Sequence, residues 1–341
     1  MKLIIPMAGR GTRVRPHSHV TPKPLLSVRG KTMVERIVET FAAVLPRPIT
    51  EAVFVLGPDF GDGVRAQLTA ICERFGIRAG FGVQETALGT AHAVLAAGTD
   101  NLTGEGIIVF ADTLFAMEPG SVSLDGTDVV AWVKHVDDPR RFGVAVREDG
   151  VGGTGTIVAF VEKPQELISN EALIGIYYMK ELERFAREAQ YLLDHDIKGN
   201  GEYQLTDAVD RMLKDGAVIT TATVTEWLDC GTIPALLETT GIVLGHEHTD
   251  AHAGIVSNSV VIPPVYIGPG ATVTGSVVGP HASIEAGAVV TDSVVRRSIV
   301  FAKGQVRASV LDGSLVGQSA EVEGIAQPVN VGDHATVGLV K

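Results

Sequence analysis

The chain opens on an apolar run, Leu3-Ile4-Ile5, and through its first two-thirds short β-branched runs alternate with stretches of helical periodicity. Ala52-Val53-Phe54-Val55-Leu56 and Ile107-Ile108-Val109-Phe110 repeat the first pattern, and helical stretches start near Met33, end at Phe75 and precede residue 106. Alternation of this kind predicts an α/β domain with a largely parallel sheet. Thr32, followed three residues later by Glu35, forms a capping box and marks the start of the first helix. Further β-rich runs at 128–133, 142–146, 157–161 and 172–178 extend the sheet.

From about residue 254 the charged helical pattern stops. Ser-Val-Val begins at Ser259, Ser276 and Ser293, 17 residues apart, and related triplets begin at Ser298, Ser309 and Ser314. Ile267-Gly-Pro-Gly-Ala, Val278-Gly-Pro-His-Ala and Ile284-Glu-Ala-Gly-Ala each lead a small-residue turn with an aliphatic. Hexads of this type resemble the hexapeptide repeat of left-handed β-helices, in which each coil buries its aliphatics against the next and only a stack closes the core. An ordinary β-sandwich is the alternative; regular spacing and Gly/Pro turns favour the stack. The expected organisation is a Rossmann-like, mostly parallel α/β domain over 1–240, a linker over 241–253 and a left-handed parallel β-helix over 254–341.

With 341 residues, 45% hydrophobic and 20% charged, the chain can bury a large core and a smaller second one. It has no apolar run of membrane-spanning length and no cleavage-site pattern after its short opening run, so a cytoplasmic protein with no membrane partner is expected. Cys72 and Cys230 lack disulfide or metal-ligand spacing. A net charge of −12 argues against a general nucleic-acid surface. Residues 1–36 nevertheless carry eight basic residues against Glu35 alone, a local charge of +7 that is either an anion site or a solvated basic face.

The candidate chemistry follows the first run, where Ile4-Ile5-Pro6 leads into Met7-Ala8-Gly9-Arg10-Gly11-Thr12-Arg13, then Pro16 and Pro22-Lys23-Pro24. Ligands of open α/β sheets bind at strand carboxyl ends. Glycines let backbone N–H groups approach phosphate oxygens, and Arg13 and Lys23 supply charge. The run is neither a dinucleotide fingerprint, since Val14 stands at the third glycine position, nor a Walker A loop.

Taken whole, G-x-G-T-R-x-x-P followed by P-K-P resembles the signature of nucleotide-sugar pyrophosphorylases. Gln84 through Gly89-Thr90-Ala91, Phe110-Ala111-Asp112, Phe142-Gly143-Val144, Glu162-Lys163-Pro164, Gly175-Ile176-Tyr177, Glu202 to Asp207 and Trp227-Leu228-Asp229-Cys230-Gly231-Thr232 follow in the family's order. The pattern is nearest to glucose-1-phosphate thymidylyltransferases and uridylyltransferases. The resemblance implies an enzyme that joins a nucleoside triphosphate, dTTP or UTP favoured, to a sugar 1-phosphate, glucose 1-phosphate favoured, with release of pyrophosphate. The attacking sugar-phosphate oxygen is already anionic, so no general base is needed and catalysis rests on positioning and charge neutralisation.

By the same resemblance Arg13 stabilises pyrophosphate, Lys23 the α-phosphoryl oxygens and Lys163 the sugar phosphate, while Asp112 and Asp229 hold Mg2+. Ala8, Gly9, Gly11, Thr12, Gln84, Gly89 and Thr90 bind the nucleotide, with Gln84 facing a pyrimidine. Gly143, Glu162, Gly175, Thr206 and Trp227 read the sugar. Thymidylyltransferases of the family carry an arginine before Gly-Glu where this chain has Asn200, so Lys198 is the candidate for that phosphate contact. Singly, Asp112 reads as a loop cap, Glu162-Lys163 as a surface pair and Trp227 as core; their joint order favours the chemistry. His92 reads as a packing residue. A homo-oligomer joined through the repeat is expected, because the end of a β-helix leaves strands needing cover. Two alternatives stand beside the transferase: a bifunctional N-acetylamino-sugar uridylyltransferase/acetyltransferase using His281 or His334, and a silent regulatory homologue, against which the intact charged residues speak.

Overall fold

The computed structural model describes residues 1–9, 11–118, 120, 122–249 and 252–338. Arg10 of the basic stretch, residues 250 and 251 of the expected linker and residues 339–341 of the repeat lie outside them. The chain divides into two compact units, one of residues 1–9, 37–111 and 115–227, the other of residues 10–36, 112–114 and 228–341. The second unit gathers most of the glycine-rich signature, Asp112 and Asp229 together with the repeat.

The first unit is built on a nine-stranded sheet of β1 (Lys2–Pro6), β2 (Glu51–Leu56), β3 (Arg78–Val83), β4 (Gly106–Val109), β5 (Val129–His135), β6 (Gly143–Arg147), β7 (Ile157–Glu162), β8 (Glu171–Met179) and β9 (Ile219–Thr223). β4, β1, β2 and β3 are parallel neighbours in that order, which is the Rossmann-like core the alternation predicts. Beyond it, β8 runs antiparallel to β4, β5 and β6. Leu3, Ile4 and Ile5 on β1 and Ala52 to Leu56 on β2 are fully buried, as strands covered on both faces must be. Among the described residues of the chain the α-helices are α1 (Met33–Val44), α2 (Asp62–Arg74), α3 (Thr90–Leu95), α4 (Leu182–Asp194), α5 (Leu205–Lys214) and, in the second unit, α6 (Ile233–His246). The hydroxyl of Thr32 accepts the backbone N–H of Glu35 at 3.2 Å, the first half of the capping box. No helix among the described residues is long and apolar enough to cross a membrane.

In the second unit, short parallel strands stack in three sheets, the pattern of a β-helix. Ile255 pairs with Thr272, Thr272 with Val289, Val289 with Gln305, Gln305 with Glu321, and Glu321 with Thr336, so successive coils take 17, 17, 16, 16 and 15 residues. Val273, Val278, Ile284, Val290, Val295, Val300, Leu311, Val316 and Val322 form its aliphatic interior. The serines that lead the triplets make a second ladder. Each hydroxyl donates to a carbonyl two residues earlier and accepts the N–H of the serine one coil on: Ser276 N–H to Ser259 at 3.0 Å, Ser293 N–H to Ser276 at 3.1 Å and Ser309 N–H to Ser293 at 3.1 Å. A backbone donor that the turn would leave unpaired is thereby satisfied. Helix α6 runs to His246, six residues into the expected linker, and Thr232 caps its start by accepting the Ala235 N–H at 3.3 Å.

Candidate active site

In the second unit the four expected catalytic side chains share one neighbourhood. Gly11 adopts φ +55° and opens the short 3-10 turn Thr12–Val14. A Cβ at Gly11 would meet the Lys23 Cβ at 2.9 Å, so glycine is required where the loop closes on Lys23. Thr12 and Arg13 are exposed, whereas Lys23, on the turn Lys23–Leu25, is 8% exposed. Its ammonium lies 3.5 Å from the Asp112 carbonyl and 3.9 Å from the Asp112 carboxylate. Burial pushes the Lys23 pKa down, Asp112, Cys230 and Asp229 pull it back up, and Arg13 lowers it.

Asp112 follows β4 by three residues, and its carbonyl accepts the Cys230 N–H at 3.2 Å, which holds it beside the Asp229 segment. The Asp229 carboxylate accepts the Gly231 N–H at 2.7 Å, and its carbonyl accepts the Thr239 hydroxyl of α6 at 2.7 Å. A Cβ at Gly231 would meet the Asp229 carboxylate at 2.8 Å and the Arg13 guanidinium at 3.3 Å, so that glycine lies between the two charges. Cys230 is buried, its thiol pushed up to about 12 by desolvation.

The remaining candidates fall into two clusters of the first unit. Gln84, at the end of β3, donates its carboxamide N–H groups to the Gly89 carbonyl at 3.3 Å and to His92 Nδ1 at 3.0 Å. Gly89 adopts φ +125°, and a Cβ there would lie 2.4 Å from the Tyr203 carbonyl oxygen. Thr90 accepts the Leu205 N–H at 2.8 Å and donates to Gln204 at 3.2 Å. In the second cluster the Glu162 carboxylate accepts the Thr206 hydroxyl at 2.7 Å and sits 3.3 Å from Lys163. A Cβ on Gly143 would meet both Glu162 and Thr206 at 2.9 Å. Gly175, at φ +78°, turns beside Phe110. Trp227 packs edge-on to Phe142 at 5.0 Å, and its buried Nε1 has no hydrogen-bond partner among the described residues. Ala8 is half-buried and Gly9 is exposed with open space beside it.

Several charges have other duties. Lys198 pairs with Asp196 and stands over the Tyr203 ring at 5.0 Å. Lys2 is bonded to Asn101 and Thr103, and Arg29 and Arg36 both pair with Glu247. Within the basic stretch, Arg13 and Lys23 face the two aspartates. Asn330 and Asp333 contact His17 and Thr21 ahead of Lys23, and Glu285 contacts Ser27 and Gly30 behind it; Glu285 reads in the sequence only as part of a repeat turn, and nothing there ties the three to Lys23.

Within the second unit the glycine turn at Gly11, two cations and two aspartates thus lie close together. The chain belongs to the nucleotidyl transferase family of enzymes, whose model matches residues 2–244. It is 30% identical over 283 residues to a glucose-1-phosphate thymidylyltransferase of Streptomyces antibioticus, covering 80% of this chain and 75% of that protein. A glucose-1-phosphate thymidylyltransferase of Streptomyces griseus is 28% identical over 366 residues, 98% of each chain. The solved UDP-glucose pyrophosphorylase complexed with UDP-glucose matches with a TM-score of 0.59 at 20% identity, over 72% of this chain and 99% of that one, a likeness of fold.

Proposed function

We propose that the protein transfers a nucleoside monophosphate from dTTP or UTP to a sugar 1-phosphate, glucose 1-phosphate foremost, forming a nucleoside diphosphate sugar and pyrophosphate. The observation that carries this reading is Lys23, a nearly buried ammonium whose contacts at 3.5 and 3.9 Å are long for a charged donor, between Asp112 and the glycine turn. A cation so placed has donor capacity left for an α-phosphoryl oxygen. The sugar-phosphate oxygen forms a new bond to the α-phosphorus as the bond to the bridging oxygen breaks, and pyrophosphate leaves with the electron pair. Arg13, exposed at the rim, would stabilise that leaving group, with Gly9, Gly11 and Thr12 lining the triphosphate.

Among the described residues no group of three or more His, Cys, Asp or Glu side chains stands ready to hold a metal alone. Asp112 and Asp229, both exposed, would supply two carboxylates, and substrate phosphates the remaining oxygens, the donor set Mg2+ favours. Bound there, magnesium would neutralise charge on the triphosphate. Glu162 would offer an acceptor to sugar hydroxyls, with Lys163 for the sugar phosphate.

The deciding experiment crosses thymidine triphosphate and the four ribonucleoside triphosphates with a panel of sugar 1-phosphates and follows pyrophosphate release. Asp112→Asn should lower turnover at least about a hundredfold without changing the melting temperature, since the side chain is 55% exposed. Near-normal turnover of that variant at limiting magnesium would refute the metal assignment.

A further inference from the structure

Lys23 is held from both sides by one corner of the β-helix. On its N-terminal side the Thr21 hydroxyl donates to the Asp333 carboxylate at 3.3 Å. His17, fully buried, meets Asn330 Oδ1 through Nε2 at 2.6 Å and packs its ring against Phe301 at 5.5 Å. A Cβ on Gly332 would come within 2.9 Å of Pro16. On its C-terminal side the Glu285 carboxylate accepts the Ser27 hydroxyl at 2.8 Å, the Gly30 N–H at 3.1 Å and the Ser283 hydroxyl at 2.7 Å.

These contacts come from one ladder of the repeat. Ile267, Ile284, Val300, Val316 and Val331 pair in register, so the residues that follow them, Gly268, Glu285, Phe301, Gly317 and Gly332, occupy one corner in successive coils. Where this corner departs from glycine, the side chain meets a segment flanking Lys23: Glu285 meets the hairpin of Ser27–Val28 and Lys31–Thr32, and Phe301 meets His17. At Gly332 glycine itself allows the approach of Pro16. Glu285 is 4% exposed, and a buried carboxylate is costly unless donors surround it. Two of its three donors belong to the hairpin, so hairpin and coil cannot part without stranding that group. Burial raises the Glu285 pKa, in keeping with this enclosure.

We infer that Asp333, Asn330 and Glu285 are positioning residues for the transfer reaction, acting through Lys23, and that the β-helix is therefore part of the catalytic frame. This rests on the reading that Lys23 binds the reacting phosphate. A displacement of about 1 Å at such a group costs on the order of a hundredfold in rate, whereas groups contacting neither substrate leave ground-state binding largely alone.

The test uses the full-length enzyme with Asp333→Ala, Asn330→Ala, Gly332→Ala, Glu285→Ala, Glu285→Gln and Lys23→Ala, each checked for folding by circular dichroism. The alanine variants at 330, 332, 333 and 285 should lower kcat by about tenfold to a hundredfold with little change in either KM. Glu285→Gln, which keeps an acceptor for Gly30, should recover most of that loss. Combined with Lys23→Ala, the same substitutions should have almost no further effect. Folded alanine variants with unchanged kcat beside a strongly impaired Lys23→Ala protein overturn the inference alone, as does an undiminished effect on the residual turnover of the Lys23→Ala background. Wild-type turnover by the single Lys23→Ala variant instead removes the premise, and the inference falls with it.

Discussion

At the scale of single residues, Gln84 shows how tertiary contacts narrow a side chain's chemistry. A free carboxamide offers a base both a donor and an acceptor. Here its nitrogen is spent on Gly89 and His92, so in the proposed function only the oxygen would meet a pyrimidine N3–H. An amide donor facing Nδ1 requires that nitrogen to be unprotonated, and burial lowers the His92 pKa below its ordinary 6.5. The folded arrangement therefore binds the proton less readily than an open one. Its stability is fully present above pH 6.5 and is lost as pH falls through the lowered pKa. KM for the preferred triphosphate should rise over that window while KM for the sugar phosphate stays flat. Gln84→Ala should weaken the triphosphate by about 1–3 kcal/mol at neutral pH and flatten the acid rise. Steady-state kinetics from pH 5 to 8 checks both effects, and an unchanged acid limb in the variant would assign it to another group. Position in the motif identified Gln84, but the contact with His92 depends on how α3 returns to β3.

At the scale of elements, the serine ladder explains a repeat that is visible in sequence as Ser-Val-Val. The valines are needed because alternate positions point into the stack; the serines are needed because each coil leaves a backbone N–H facing the next. Ser293→Ala should strand the Ser309 N–H and cost about 1–3 kcal/mol. Ser259→Ala, at the first coil where the serine and its bond to the Ser276 N–H are only part-buried, should cost less. Urea midpoints of the two variants would separate these expectations, and equal losses would count against the ladder. The hairpin at 27–32 belongs to the same scale: nothing local marks it as an anchor, because its partners lie more than 200 residues away.

At the scale of the whole molecule, the first coil remains uncovered among the described residues. Val256 and Val261 point into the stack in register with Val273 and Val278, yet they are only partly buried where those two are fully buried, and beside them Ile255 is 66% and Val260 56% exposed. Their strands are terminal members of their sheets, with aliphatic surface and backbone groups that a second copy of the chain would cover. Light scattering should give a multiple of the single-chain mass, and an Ile255→Lys, Val260→Lys variant should revert to the single chain. A monomeric wild-type protein would rule this surface out as the junction.

The sequence by itself determined the parallel strand–helix core, the stacked repeat and the order of the candidate site residues. Each depends on local pattern: a continuous apolar run for Ala52 to Leu56, a 17-residue spacing between the first three Ser-Val-Val triplets, and fixed glycines beside Arg13 and Lys23. Only the tertiary structure decided which charges face the candidate site and which hold the frame. Lys2, Arg29 and Arg36 read no differently from Arg13 and Lys23 in the basic stretch, yet the first three are engaged by distant carbonyls, hydroxyls and Glu247. The placement of Glu285 at a glycine corner of the coil acquires meaning only from Ser27 and Gly30. Charge and periodicity are properties of a segment, whereas the partner that satisfies a buried group is chosen by chain closure over hundreds of residues.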